Sequence, residues 1–485
     1  MGAAAWSRLL AALFQPVDVA WLAALRVLFG LAMATSMARF IVYGWIDDFF
    51  VTPRFFFKYW GFGWVEPLGP AGMHALFWVL GALALAVAAG FCFRAAAWLF
   101  VAGFTYLQLV DVTTYLNHYY LASLLGLLLA ISPAHRAWSV DAWLRRGPAV
   151  TVIPAGWHVL FRFQVAVVYT FAGIAKAHGD WLVHAQPLGI WLGSKTGMPV
   201  IGLLFEQPWA APLMSWAGFL FDTTIVGFLL ARRTRPFAYA VVIVFHSLTS
   251  ALFPIGMFPV LMVLAALVFF PPGWPRWWVD RTRRLLQRAG AIPAATIAPA
   301  TQAHEPAATI ACGRWGRRAV VAGLVYCTIQ VAVPLRFLVY GGDVRWHEQG
   351  MRFSWRVMVR EKNGSTTFIV RNKDTGRIWH VSPRTYLTRL QEREMSSQPD
   401  LILQLAHRIR DDFEREGRGP VEVRADAIAS LNGRPGAALV DPNVDLAMVE
   451  DGLRPASWIL PRPATTPIRL RPIARDPRRT SGGAL

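Results

Sequence analysis

The sequence predicts an all-α polytopic membrane helical bundle of about nine spans followed by a small exported α+β domain. Three observations predict it. Hydrophobic residues fill 55% of the 485 positions and charged residues only 16%, whereas soluble domains are roughly a quarter charged. Apolar runs that approach the thickness of a bilayer recur along the first two-thirds of the chain. After residue 340 the texture changes to alternating, turn-punctuated, charged sequence. Trp (22) and Phe (31) are both abundant, as expected where aromatic rings sit at lipid–water boundaries.

The expected spans are 18–43, 74–93, 95–110, 118–132, 157–175, 212–231, 236–253, 256–270 and 319–338. A span needs about 20 apolar residues, and the shorter runs suit tilted, partly buried or re-entrant segments. Met1–Pro16 is weakly apolar, lacks a basic start and leads straight into the first span, which reads as an uncleaved anchor. With the N-terminus inside, the inner loops carry Arg94, then Arg136, Arg145 and Arg146, then Arg232, Arg233 and Arg235. The inner stretch 271–318 carries Arg276, Arg281, Arg283, Arg284, Arg288, Arg314, Arg317 and Arg318. Outer loops 111–117 and 251–256 carry no Arg or Lys, and outer loops 44–73 and 176–211 only two each. This positive-inside pattern puts the N-terminus in the cytoplasm and the C-terminal domain in the periplasm, and the strong preference for Arg over Lys suggests a bacterial inner membrane.

Within the inner stretch, Pro271–Arg288 sets Trp274, Trp277 and Trp278 beside arginines and reads as an interfacial basic segment. Ala289–Ala311 is rich in Ala, Pro and Thr and reads as a flexible linker. Past Tyr340, Phe353–Glu361, Thr366–Arg371 and Arg377–Val381 read as a three-stranded meander with turns at Lys362-Asn363-Gly364 and Asp374-Thr375-Gly376. Thr388–Glu416 reads as two helices broken near Pro399. Pro420–Leu431 reads as a strand ended by an Asn432-Gly433 turn. The domains expected are a bundle over 1–338, an exported α+β domain over 339–462 and a disordered basic tail over 463–485.

Several function classes lack support. The net charge of +19 is spread over short loops and the tail, not over one soluble face, which argues against a nucleic-acid partner. The three cysteines, Cys92, Cys312 and Cys327, have no metal spacing and read as buried, inert thiols. No P-loop, GxGxxG, HExxH or GxSxG pattern occurs, and no metal is expected.

Ionisable groups in or beside spans are costly and point to function. Five lysines stand among 48 basic residues: Lys58, Lys176, Lys195, Lys362 and Lys373. Lys176 closes the fifth span, and Tyr169, Gly173 and Lys176, at i, i+4 and i+7, share one helix face. A partly desolvated lysine there suits a base; the competing reading is a lysine that snorkels to the interface. Asp111, Asn117, His118, His178, Asp180 and His246 fall on the same outer half. Asp222, mid-span, reads either as a helix–helix hydrogen bond or as a site residue, and His246 likewise.

Several stretches, in order, resemble the vitamin K-dependent gamma-glutamyl carboxylases and their bacterial HTTM-domain homologues. They are Asp111-Val112-Thr113, Asn117-His118-Tyr119-Tyr120-Leu121, Ala137-Trp138-Ser139-Val140-Asp141, Tyr169 to Trp181, Phe245-His246, and Ile255-Gly256-Met257-Phe258. Outside the bundle they continue with Phe353-Ser354-Trp355, Asp441-Pro442-Asn443-Val444-Asp445 and Ser457-Trp458. The resemblance covers roughly residues 20–460. It implies a lysine that deprotonates a reduced naphthoquinone (reduced vitamin K or a menaquinol-like quinol), O2 addition to give an epoxide and a strong base, and CO2 capture at the gamma carbon of a peptide glutamate. Lys176 matches the base. His118 matches a histidine of the same chemistry, with a hydrogen-bonding or charge-stabilising role. Asn117, Tyr169, Asp222, His246, Met257 and Trp355 are the further candidates for quinol or substrate binding. The implied partners are the lipid bilayer, the quinol and a Glu-containing exported peptide.

The chain departs from the animal enzymes at Ala175, where they carry a second lysine, and at Met351 and Arg360, where they carry an aromatic residue and a histidine linked to glutamate binding. Ala175 strengthens the assignment of Lys176 as the base, since only one lysine remains there, whereas Met351 and Arg360 bear on the carboxylating half of the reaction. Two other functions fit the sequence: a non-enzymatic membrane anchor for a partner-binding or maturation module, and a different quinone-linked membrane enzyme.

Overall fold

The computed structural model describes residues 3–145, 150–289 and 313–468. Arg146, residues 290–311 of the expected linker, Cys312 and the tail from 469 onward lie outside the described residues. The helices run in the order α1 (Ala3–Leu13), α2 (Ala20–Val42), α3 (Pro70–Ala89), α4 (Phe93–Val110), α5 (Asn117–Ile131), α6 (Ala155–Lys176), α7 (Ala210–Leu230), α8 (Arg235–Leu252), α9 (Phe258–Ala266), α10 (Trp274–Arg288), α11 (Arg314–Leu335), α12 (Arg389–Met395) and α13 (Pro399–Arg415), with shorter helical turns between them.

Seven helices among the described residues are long and apolar enough to cross a membrane: α2, α3, α4, α6, α7, α8 and Gly316–Val339, which contains most of α11. The expectation of about nine is corrected at two places. The 118–132 run forms α5, but its 15 residues extend only about 22 Å at 1.5 Å per residue, short of a hydrocarbon core of about 30 Å. The 256–270 run is broken: Phe258–Phe269 and α10 form a pair bent by 95°, which adds at most one span.

The chain divides into two compact units, Met1–Val168 with Ile225–Val333, and Tyr169–Thr224 with Pro334–Leu485. In the first, Phe40 stacks on Phe77 with ring centres 5.0 Å apart, joining α2 to α3. A short antiparallel pair, β1 (Pro16–Asp18) with β2 (Val152–Pro154), brings the entry of α2 beside the entry of α6. The Trp138-Ser139-Val140-Asp141 motif proves structural. The Asp141 carboxylate accepts the amides of Cys92 and Phe93 at 2.9 Å each, capping α4. Arg26, fully buried, donates to the carbonyls of Ala134 (3.1 Å) and Trp138 (2.5 Å). Cys92 is exposed rather than buried, because it sits in the tight turn between α3 and α4 with its amide already used; Cys327 is half-buried.

The second unit contains a four-stranded sheet in the order β4-β3-β5-β6, built from β3 (Lys362–Asn372), β4 (Ile378–Val381), β5 (Val421–Leu431) and β6 (Ala437–Ala438). Alternate residues of β5, from Val421 through Leu431, are buried beneath α13, whose Leu401, Ile402, Leu405, Ile409 and Phe413 form the opposing face. Thr388 and Gln391 form a capping box on α12, and Pro399 opens α13 as expected. Asp445 of the Asp441–Asp445 motif accepts the amides of Val423 (2.9 Å) and Ala447 (3.1 Å), so this motif also fastens the fold.

The expected meander fails at its first strand. Phe353–Glu361 is irregular, with Phe353 (φ 59°), Trp355 (φ 58°) and Met358 (φ 54°) in the left-handed region, which strands do not contain. Lys362-Asn363-Gly364 is not a turn but the start of β3, opposite Leu431, Ser430 and Ala429. Gly364 is required there by close approach: a Cβ would stand 2.0 Å from the Ser396 carbonyl oxygen. The turns at Asp374–Gly376 and Asn432-Gly433 form as expected, with Gly376 and both residues of the second in the left-handed region.

Candidate active site

The face shared by Tyr169, Gly173 and Lys176 meets three consecutive residues of α7. The Tyr169 ring lies edge-on to Phe221 with centres 5.7 Å apart. A Cβ on Gly173 would stand 2.7 Å from Thr223 Cγ2, so the glycine admits the neighbouring helix, not a ligand. Between them Lys176 Nζ donates to Asp222 Oδ2 at 2.7 Å, and both side chains are 7% exposed. The ammonium has three N–H groups and three acceptors: Asp222, the Ala172 carbonyl at 3.3 Å and the Val357 carbonyl at 3.5 Å. The Trp181 ring centre lies 5.3 Å away, within range of a cation–π contact. Lys176 is thus held at a defined point and does not snorkel.

Val357 belongs to the irregular 353–361 segment. Non-glycine residues in the left-handed region cost on the order of 1 kcal/mol or more each, and this segment holds three. Trp355 is fully buried within it, and the Ser354 hydroxyl donates to the Met351 carbonyl. Ala175 and Met351, two positions where the chain departs from the animal enzymes, share one apolar cluster with Val344 and Val359. At the third, Arg360 donates to Glu348, which also pairs with Lys362 Nζ at 3.3 Å. Burial and the neighbouring Arg360 charge push the Lys362 ammonium well below its ordinary value.

A second buried ionic cluster begins four residues beyond Lys176. Asp180 accepts from Arg434 at 2.5 and 2.7 Å, from Asn432 at 3.0 Å and from Arg345 at 3.2 Å. Arg345 also reaches Asp343 at 2.7 and 2.8 Å and His178 Nδ1 at 2.5 Å. Burial by itself would raise the Asp180 carboxyl; the Arg434 hydrogen bond, the Arg345 charge and Asn432 overcome it and hold it at about 2. Burial, followed by the Arg345 charge, lowers the His178 imidazole to about 3. Sequence reasoning placed Asp180 and His178 near Lys176 but not their partners, which are separated from them by more than 160 residues. The Val357 carbonyl, a backbone group, left no sequence signal.

The other candidates lie in the first unit. His118, at the start of α5, packs on Tyr119 (ring centres 4.5 Å) and Phe258 (6.1 Å), and a Cβ on Gly256 would stand 3.4 Å from its Nε2. His246 lies 6.1 Å from the same Phe258 ring. Met257, half-buried, precedes α9 between them in sequence. Asn117 accepts the Tyr115 hydroxyl at 3.1 Å. Asp111 caps the turn that follows it through Thr113, at 2.8 Å. The predicted residues therefore gather in two groups: Asn117, His118, His246 and Met257 in one unit, and Tyr169, Lys176, Asp222 and Trp355 in the other.

A family model for the HTTM domain matches residues 14–274, more than half of the chain. This match, with seven helices among the described residues long and apolar enough to cross a membrane, places the chain in the HTTM class. A second family model, for the lumenal domain of vitamin K-dependent gamma-carboxylase, matches residues 316–465. The chain belongs to the vitamin K-dependent gamma-carboxylase family. No solved structure matches it.

Proposed function

We propose that this protein is a membrane enzyme that couples oxygen-dependent epoxidation of a reduced naphthoquinone to carboxylation of glutamate in an exported peptide, with Lys176 as the base. The observation that carries this reading is the buried Lys176–Asp222 pair. An amine accepts a proton only when neutral. Asp222, at 2.7 Å, is placed to take a proton from Nζ: one N–H bond breaks, one O–H bond forms, and two buried charges disappear together. Neutral Nζ then takes the proton of a quinol hydroxyl, while the Ala172 and Val357 carbonyls fix its position. The reduced quinone supplies the electrons for oxygen, and carbon dioxide is the carboxyl donor.

In this reading His118 has a hydrogen-bonding or charge-stabilising role in the quinol chemistry, and Asn117, Tyr169, His246, Met257 and Trp355 are assigned to quinol or substrate binding. The bundle occupies 1–338, the domain 339–462 faces the periplasm, 463–485 is a basic tail, and the N-terminus is cytoplasmic in a bacterial inner membrane. Incubating the purified protein with reduced vitamin K, oxygen, labelled bicarbonate and a Glu-rich peptide, followed by mass spectrometry, tests it. Epoxide with carboxylated peptide is expected. Epoxide alone removes the carboxylation step. Neither product overturns the enzymatic reading in favour of a membrane-anchored binding module.

A further inference from the structure

The helix α10 has two unlike faces. At 100° per residue, Trp274, Trp278, Val279, Leu285 and Leu286 fall on one arc and Arg276, Asp280, Arg283, Arg284 and Arg288 on the other; Trp277 falls within the basic arc, and Arg281 stands at its border next to Trp274, over the Trp277 ring at 5.4 Å. Trp278, Val279, Leu285 and Leu286 are 55%, 44%, 53% and 43% exposed. Arg276 is committed to Asp18 at 2.8 Å. Setting that pair aside, four arginines (281, 283, 284 and 288) remain against Asp280, a surplus of three positive charges.

The chain around α10 explains why it turns away from the bundle. The last carbonyls of Phe258–Phe269 are already taken: Arg162 donates to those of Val268 and Phe269 at 2.9 Å each, and His158 approaches that of Val268 at 2.7 Å. Pro271, Pro272 and Gly273 follow, and Pro275 lies in the first turn of α10, which restarts at 95° to the preceding helix. Phe258–Phe269 alone, about 18 Å long at 1.5 Å per residue, is too short to cross a hydrocarbon core, and an amphipathic helix that restarts at 95° to it suits the plane of the lipid–water interface. Its apolar arc then sinks between acyl chains, and its arginines reach the phosphate level.

We propose that α10 is an interfacial helix that selects anionic phospholipid headgroups through Arg281, Arg284 and Arg288. A second copy of the chain fits poorly, because two identical surfaces with surplus positive charge repel. A basic residue near an anionic lipid surface is worth roughly fivefold in partitioning, so three together give a preference on the order of a hundredfold. Native mass spectrometry of full-length protein, with phosphatidylglycerol and phosphatidylcholine of equal chain length as competing probes, reads that preference. The parent is expected to retain phosphatidylglycerol preferentially, less so as salt rises. The variant R281Q/R284Q/R288Q is expected to lose at least tenfold in that preference while still retaining phosphatidylcholine, which also shows that it is folded. The variant L285S/L286S is expected to weaken retention of both lipids. Equal retention of the two lipids by the parent, an unchanged preference in the arginine variant, or a lipid-independent dimer overturns the proposal.

Discussion

Two buried ionic sites lie four residues apart in sequence and are built on opposite plans. Asp180 is over-determined: two arginines and an asparagine converge on one carboxylate, and Arg345 extends the network to Asp343 and His178. Lys176 and Asp222 are a single ion pair, supplemented by two longer carbonyl contacts and the Trp181 ring. A carboxylate ringed by permanent cations stays ionised and fastens segments distant in sequence. A carboxylate facing one amine that can lose its proton has a second, neutral state available. The first arrangement suits architecture and the second suits proton transfer.

The comparison breaks most readily at Asp180. Asp180→Ala leaves Arg434 buried without its carboxylate, and breaking such a site costs about 3–5 kcal/mol. The expected outcome is loss of monodisperse folded protein or a large fall in unfolding midpoint. Asp222→Asn keeps the shape and is expected to leave folding largely intact while lowering quinol oxidation by about 100-fold or more, the scale of a lost acid–base partner. Steady-state rates beside unfolding curves separate the two; equal damage to stability by both variants would erase the distinction. Gly173→Val forces a Cβ against Thr223 and is expected to cost about 1–3 kcal/mol as overpacking, read as a lower unfolding midpoint.

Acid sharpens the contrast. The folded value of Asp180, about 2, lies below its ordinary 3.8, so its contribution is complete above about pH 4 and is lost as pH falls through about 2. His178, lowered from 6.5 to about 3, takes up its proton in the unfolded chain first, so stability declines as pH falls from about 6.5 towards 3. Unfolding midpoints measured across pH 3–8 are expected to fall on the acid side, with a shallower fall in His178→Gln. The smallest effect belongs to the exposed Arg384–Glu392 pair: Arg384→Ala is expected to change stability by about 0.5 kcal/mol or less in chemical denaturation.

Much of the fold was legible because it rests on local pattern. Apolar runs marked the long helices, Pro399 and Thr388 marked the boundaries of α12 and α13, and Asn432-Gly433 marked the end of β5. The misreadings fell where tertiary contact overrides local preference. The alternation in Phe353–Glu361 resembled a strand, yet the segment turns three times through left-handed residues to pack Trp355 and present the Val357 carbonyl. Gly364 resembled a turn residue, yet its smallness serves the loop after α12. At the candidate site, the i, i+4, i+7 spacing of Tyr169, Gly173 and Lys176 gave the face, but not what covers it. Asp222 had two readings in sequence, and its 2.7 Å contact joins them: the helix–helix hydrogen bond is made to the candidate base. The motifs around Asp141 and Asp445, suggestive by resemblance, turned out to cap helices and strands.

The most direct test of Lys176 as the base is oxygen-dependent epoxide formation from a reduced naphthoquinone by purified full-length protein carrying Lys176→Ala. Removing the only amine at this position, with Ala175 beside it, is expected to abolish epoxide formation while the protein keeps its unfolding transition. Epoxide formed by this variant at the parent's rate would contradict it.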